Sequence, residues 1–266
     1  MYKRLFTFGC SFTSWYWPTW ADIIAWDLDI PNENWGLSGL GNVGIFHRLV
    51  ECDVRNRFKE DDLIAVMWSH WNREDRYMNQ FWQGVGNVFN NHLYDDKFVN
   101  KYWSFENDII KNSTAIISAS KMYNLSFQGH ITHPTMNDND VRIFTDYELM
   151  MFNVYKKHVN LDCVFLYDME NSFNGLIDDD KHPDVLQHLE YLTTYVYPKL
   201  GLTIKDTTVN ACRAIQQDII DALANSKKLD LEKRKPIILD IVTNKHKLLF
   251  ELPKHGPCFG TKHYGF

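Results

Sequence analysis

Residues 5–13 read Leu5-Phe6-Thr7-Phe8-Gly9-Cys10-Ser11-Phe12-Thr13, a short apolar run stopped by a glycine and followed by a serine and an aromatic. A run this short and this apolar predicts a buried strand of a parallel sheet. A serine just past such a strand stands at the sheet's carboxyl edge, where open α/β sheets hold their ligands. Working outward, residues 18–28 carry Trp20, Ile23, Ile24 and Trp26 at helical spacing, with Pro18 near the helix start. Residues 34–42 form a glycine-rich turn into a second helix, with Ile45, Phe46, Leu49 and Val50 on one face. Asp61-Asp62 then precedes Leu63-Ile64-Ala65-Val66-Met67-Trp68, a second buried strand. Strand, helix, turn, helix, strand is the alternation of a parallel sheet covered on both faces.

Further along, the pattern breaks and resumes. Residues 73–100 show no clear period and read as a long loop or partly helical insertion, whose aromatics suit a lid or binding wall. Helix is expected over 102–122, a strand near 125–131, a helix over 146–158 and a strand over 163–167. A loop carrying Asp179 and His182 leads into a helix over 183–197. From about Gly201 the character changes. Residues 208–223 look helical and 227–235 read as a charged connector. Residues 237–242 and 248–252 flank Asn244-Lys245-His246 as a β-hairpin. The division expected is a main domain over 1–200 and a helix-plus-hairpin appendage over 201–266. Because a lone hairpin must bury a face, a homo-oligomer contact through that appendage is expected.

Bulk properties exclude several classes. The chain has 266 residues, 45% of them apolar, enough for a sizeable core. A net charge of −6 argues against nucleic-acid binding, which needs a basic face to displace counterions. The five cysteines, Cys10, Cys52, Cys163, Cys212 and Cys258, are scattered without a C-x-x-C pair, so neither a zinc site nor a disulfide framework is expected. That composition fits a reduced, cytoplasmic location. The N-terminus lacks the longer apolar core of a signal peptide. No apolar stretch reaches membrane-spanning length, so no membrane partner is expected.

Two short stretches carry chemistry. Serine attacks only when a base takes its proton, and the base needs an orienting group. Ser11 is the candidate nucleophile. In Asp179-Asp180-Lys181-His182-Pro183, His182 is the candidate base and Asp179 its orienting carboxylate. The plainer readings are a helix-capping serine and a surface histidine. Joint occurrence in this order, at the two ends of one α/β pattern, favours the functional one. His130 and His133 could chelate a metal, but no carboxylate-rich partner motif accompanies them, so no metal is expected. Gly39-Leu40-Gly41-Asn42 lacks the third glycine of a dinucleotide fingerprint, and no cofactor is expected.

These stretches resemble the SGNH or GDSL-type hydrolases. Gly9-Cys10-Ser11-Phe12 looks like their first block, with Cys10 where Asp is common. Asn34-Trp35-Gly36-Leu37-Ser38-Gly39 is similar to the second, and the Asp179 to Pro183 stretch matches the last. The stretches Trp17-Pro18-Thr19-Trp20-Ala21-Asp22 and Gly39-Leu40-Gly41-Asn42 look especially like the SGNH-like proteins of bacteriophages. The resemblance covers about residues 3–198. It implies a three-layer, flavodoxin-like parallel sheet and a Ser11–His182–Asp179 triad, with the oxyanion held by the backbone N–H groups of Ser11 and Gly39. One block departs. After Trp68 the family has Gly-x-Asn, whose Asn is a third oxyanion donor, whereas this chain reads Ser69-His70-Trp71-Asn72-Arg73. Asn72 falls one position late; a one-residue adjustment of the loop could bring it in as the oxyanion donor, or Ser69 or Arg73 could substitute.

The expected function is therefore a serine esterase acting through an acyl-enzyme. The tryptophans near Ser11 favour a carbohydrate ester, with O-acetyl groups as the acyl removed. The alternative is a catalytically weak or inactive binding or structural protein on the same scaffold, such as a virion component. Transfer of the acyl group to another alcohol would use the same residues.

Overall fold

The computed structural model describes residues 2–70, 73–78, 81–87, 94–131, 182–225 and 231–250, with Asp146, Tyr147, Met150, Asn153 and Phe173 as isolated further positions. Its first half runs β1 (Arg4–Phe8), α1 (Trp20–Leu28), β2 (Asn32–Asn34), α2 (Asn42–Asn56), β3 (Asp62–Trp68), β4 (Arg73–Met78) and β5 (Phe81–Asn87). There follow α3 (Asp96–Tyr102), α4 (Phe105–Met122), β6 (Phe127–His130), α5 (Val185–Tyr191), α6 (Tyr197–Leu200), α7 (Asp206–Asn225) and α8 (Leu231–Asp240). A π-helical turn over Leu192–Val196 joins α5 to α6, and another over Ile241–Lys245 extends α8.

Four strands form a parallel sheet in the order β2-β1-β3-β6. Leu5 pairs with Asn32 on one side and Leu63 on the other, and Ala65 pairs with Phe127. Alternation along the strands sends successive side chains to opposite faces. Phe6 and Phe8 meet Phe58 at ring-centroid distances of 5.1 and 6.4 Å, and Phe58 meets Tyr123 after α4. Gln128 accepts from the Ser120 hydroxyl of α4, so α2 and α4 cover this face. On the other face Phe127 meets Tyr191 of α5, and Tyr191 meets Trp20 of α1. The fold is α/β, a parallel sheet with helices on both faces.

That strand order has a consequence for function. Connections leave β1 toward β2 in one direction and, after β2, continue from β3 in the other. The direction reverses between β1 and β3, and the crevice beyond their carboxyl ends is where such sheets bind ligands. Ser11 follows β1 and Ser69 follows β3, so both stand at that crevice.

The tail corrects the sequence reading. Residues 237–242, expected as a hairpin strand, are helical in α8 and its π-turn, and Ile238, Ile241 and Val242 are buried there. Cys212, Ile215, Ile219 and Leu223 of α7 join the same apolar cluster as Leu5, Phe8 and Leu63. A buried carboxylate fastens α7 to α1: Asp27 of α1 accepts from Tyr197 Oη at 2.7 Å, Lys205 N at 2.9 Å and Thr208 Oγ1 at 2.7 Å. The 73–100 stretch also differs from expectation. It holds the antiparallel pair β4–β5 and then α3. The strand expected over 163–167 and most of the helix expected over 146–158 lie outside the described residues. Among the described residues, no helix is long and apolar enough to cross a membrane.

Candidate active site

Ser11 sits in a tight turn that the end of β1 dictates. Thr13 N and Ser14 N both donate to the Cys10 carbonyl, at 2.9 and 3.2 Å. Gly9 permits this turn, since a Cβ there would lie 2.1 Å from Thr13 Oγ1 and 2.9 Å from the Met67 carbonyl of the neighbouring strand. Asn34 clamps the turn from the second block, donating from Nδ2 to Thr13 O at 2.7 Å and accepting from Gly36 N at 2.9 Å. Leu37 N donates to Gly9 O at 3.0 Å, so the first two blocks are joined directly. Ser11 is 3% exposed, and its Oγ lies 4.0 Å from Cys10 Sγ.

The chain brings His182 to this same loop from far downstream. The His182 ring stacks on Trp15 with centroids 3.6 Å apart and planes 19° from parallel. Phe12 and Trp17 meet it edge-on at 5.4 and 6.5 Å. Trp17 also donates from Nε1 to the Pro183 carbonyl at 2.7 Å, fixing the segment beside His182. Asp184 then caps α5, accepting from Gln187 N at 2.9 Å. The same carboxylate accepts from Gln216 Nε2 of α7 at 2.9 Å, and Gln216 Oε1 accepts from Val185 N at 3.2 Å. One turn into α5, burial holds the His188 imidazole well below its ordinary value, and the charge of nearby His182 adds to that. His188 is therefore neutral and does not carry charge in the site.

Gly39 has φ +77°, the left-handed region that glycine favours, and its carbonyl accepts from Gly86 N of β5 at 2.9 Å. The β4–β5 hairpin grips this glycine turn at further points. Asp75 accepts from Gly41 N at 2.7 Å and Gly44 N at 2.8 Å, at the start of α2, and Arg73 donates to Leu40 O at 3.2 Å. Burial pushes the Asp75 carboxyl up to about 6, against those two backbone hydrogen bonds.

Sequence reading missed the clamp on the third block. Asn42 accepts from Ser69 N at 2.7 Å and donates to Ser69 O at 3.1 Å, holding that peptide by both its groups. Asn42 in turn donates to Asn112 Oδ1 at 2.7 Å, and Asn112 donates to Asp108 O at 2.7 Å. The only local signal was an asparagine ending the Gly-Leu-Gly-Asn turn. Ser69 Oγ is buried there without a hydrogen-bond partner. Asp179, Asn72 and His133 lie outside the described residues, and buried His130 ends β6.

No protein-family model matches the chain, and no curated protein matches it. Two solved structures are similar at low identity. One is a protein from Desulfitobacterium hafniense assigned to the G-D-S-L lipolytic family, 16% identical, covering 71% of this chain and 95% of its own, with a TM-score of 0.39. The other is an acetyl xylan esterase from the rumen bacterium Butyrivibrio proteoclasticus, 13% identical, covering 76% of this chain and 65% of its own, with a TM-score of 0.36. At these values neither likeness bears on the chemistry of this chain, and the fold stands on its own strand order.

Proposed function

We propose that this chain is an SGNH-type serine hydrolase that cleaves an ester through an acyl-enzyme. The observation that carries the reading is the His182 ring stacked on Trp15, four residues beyond Ser11. Ser11 Oγ attacks the ester carbonyl carbon as His182 takes its proton. The tetrahedral intermediate collapses, and the departing alkoxide receives that proton. Water then attacks the acyl-enzyme, His182 accepts its proton, and the carboxylic acid leaves as Ser11 is reprotonated. Asp179 orients the imidazole and stabilises its charged form.

The oxyanion is held by the N–H groups of Ser11 and Gly39. Ser69 serves as the third donor in place of the family's asparagine, supported by its unpartnered Oγ at the end of β3. A carbohydrate ester is the preferred substrate, since indole faces such as Trp15 and Trp17 stack on sugar rings. Ser11→Ala should abolish hydrolysis of p-nitrophenyl acetate while leaving the fold intact; full activity in that variant would refute the assignment.

One observation favours a second reading, a non-catalytic binding protein on this scaffold. The Ser11 hydroxyl is nearly buried and faces Cys10 Sγ. On the hydrolase reading, substrate entry turns that hydroxyl toward His182. On the binding reading it stays where it is.

A further inference from the structure

The Gly39 N–H forms no hydrogen bond among the described residues, whereas every polar group of the next two peptides is taken. In the Gly39–Leu40 peptide the carbonyl accepts from Gly86 N of β5 at 2.9 Å, and the N–H donates to Leu37 O at 3.1 Å. In the Leu40–Gly41 peptide the carbonyl accepts from the Arg73 guanidinium at 3.2 Å, and the N–H donates to Asp75 Oδ1 at 2.7 Å. Both of those partners stand on β4. The turn is also tied in front, where Leu37 N donates to Gly9 O beside the Ser11 turn. An unpaired amide among pinned neighbours is a donor held in place and free to bond.

Asp75 holds more than this one peptide. Its second oxygen accepts from Gly44 N at 2.8 Å, so the carboxylate spans the first turn of α2. Asn42 lies between the two glycines, and its side chain holds Ser69 by both backbone groups. One carboxylate is thus linked to the Gly39 turn on one side of Asn42 and to the support of Ser69 on the other. The fit is close. A Cβ at Gly41 would stand 2.8 Å from Asp75 Oδ2 and 3.0 Å from the Arg73 carbonyl. Gly41 has φ −94°, so glycine serves here to admit β4 and not to relieve the backbone.

We infer that Asp75 is a positioning residue of the oxyanion site, fixing the Gly39 N–H and the Ser69 peptide through the start of α2. This role deepens the hydrolase reading and rests on it in assigning the Gly39 N–H to the oxyanion. A preformed donor meets charge as it develops, without reorganising. Loosening its support therefore lowers kcat and leaves ground-state binding, and with it KM, little changed. The two bonds need two acceptor oxygens. An amide in place of the carboxylate supplies one and turns an NH2 group toward the other donor.

The test uses the full chain at pH 8, where the Asp75 carboxyl, pushed up by burial to about 6, is ionised. Asp75→Asn removes one acceptor, and Gly41→Ala displaces the carboxylate with a methyl group at a φ that alanine adopts. Circular dichroism checks each fold; should one variant fail to fold, the other decides. On p-nitrophenyl acetate kcat should fall by about tenfold, short of the roughly hundredfold cost of losing a donor outright, with KM within about twofold. The backbone amide resonances of Gly39 and Ser69, followed by NMR, should shift in the same variants. A normal kcat, or unmoved Gly39 and Ser69 amides in a folded variant, overturns the inference. Fluorophosphonate labelling of the wild type keeps the two readings apart. Without a label on Ser11 the hydrolase reading falls, while the amide shifts still report whether Asp75 sets the turn. With the label and unmoved amides, the positioning role falls alone.

Discussion

The Trp15 indole lies flat against the His182 imidazole, 167 positions away in sequence and with 3.6 Å between their ring centroids. Nothing local requires this. It follows from α5 packing beside α1 on one face of the sheet while the Ser11 turn leaves the same edge. A stacked aromatic pair is worth about 0.5–1.5 kcal/mol beyond its buried area. Trp15→Leu keeps apolar bulk but removes the ring face. The kcat on p-nitrophenyl acetate should fall by up to about tenfold, the rate equivalent of that energy. An unchanged kcat would show that the stack does not position the base.

Trp17 contributes differently, through its bond to Pro183 O. Trp17→Phe keeps the ring and its edge contact with Phe173 but leaves a buried carbonyl without a donor. Stability should drop by about 1–3 kcal/mol in urea unfolding, with a parallel loss of kcat. A loss of stability alone would confine Trp17 to a structural role.

Ser69 is a separate test of the oxyanion site. Its backbone is held by Asn42, so Ser69→Ala removes the hydroxyl and leaves the peptide in place. One lost oxyanion donor costs about a hundredfold to a thousandfold in kcat. KM should change little, because the donor acts on charge that develops in the transition state. A variant with normal kcat would exclude Ser69 as a donor.

Much of this arrangement was legible in the sequence, and the reasons are local. Leu5 to Phe8 and Leu63 to Trp68 are short, mostly apolar runs, of the length and composition that buried strands have. Ser11, Gly39 and His182 sit in stretches with recognisable spacing. The hairpin at β4–β5 was not legible, because Arg73-Glu74-Asp75-Arg76 carries no apolar alternation and its hold on Gly39–Gly44 is tertiary. The run Ile237-Ile238-Leu239-Asp240-Ile241-Val242 reads as a strand by its β-branched residues and by Pro236 before it. Packing overrides that preference, burying Ile238, Ile241 and Val242 from a helix. Asp27 and Asn42 were invisible for another reason: their partners are distant in sequence.

Asp27 shows how firmly the tail is held. Asp27→Ala would leave the buried Tyr197 and Thr208 hydroxyls without their acceptor, and would free the half-buried Lys205 N–H. The expected loss is about 2 kcal/mol or more, since each buried donor costs roughly 1–3 kcal/mol. Urea denaturation checks it. A change within a few tenths of a kcal/mol would mean that α7 holds to the sheet by apolar packing alone.

Stability should also depend on pH through Asp75 and Asp22, whose carboxyls burial pushes up from 3.8 to about 6. Between those values the folded chain binds more protons than the unfolded chain, so these groups make stability fall as pH rises through the window. Asp75→Asn keeps an oxygen for only one of Gly41 N and Gly44 N, a loss independent of pH, and does not titrate. The difference in urea midpoint between wild type and Asp75→Asn should therefore shift toward the variant from pH 4 to pH 6.5. A constant difference across that range would mean that Asp75 titrates alike in both states.

The central claim is that Ser11 is activated by His182. A fluorophosphonate probe measures this most directly, because it bonds only to a serine whose proton a base removes. Mass spectrometry of the labelled chain should find one phosphonyl adduct, on the peptide carrying Ser11, and His182→Ala should abolish it in a folded protein. No adduct on wild-type Ser11, or equal labelling without His182, would contradict the account.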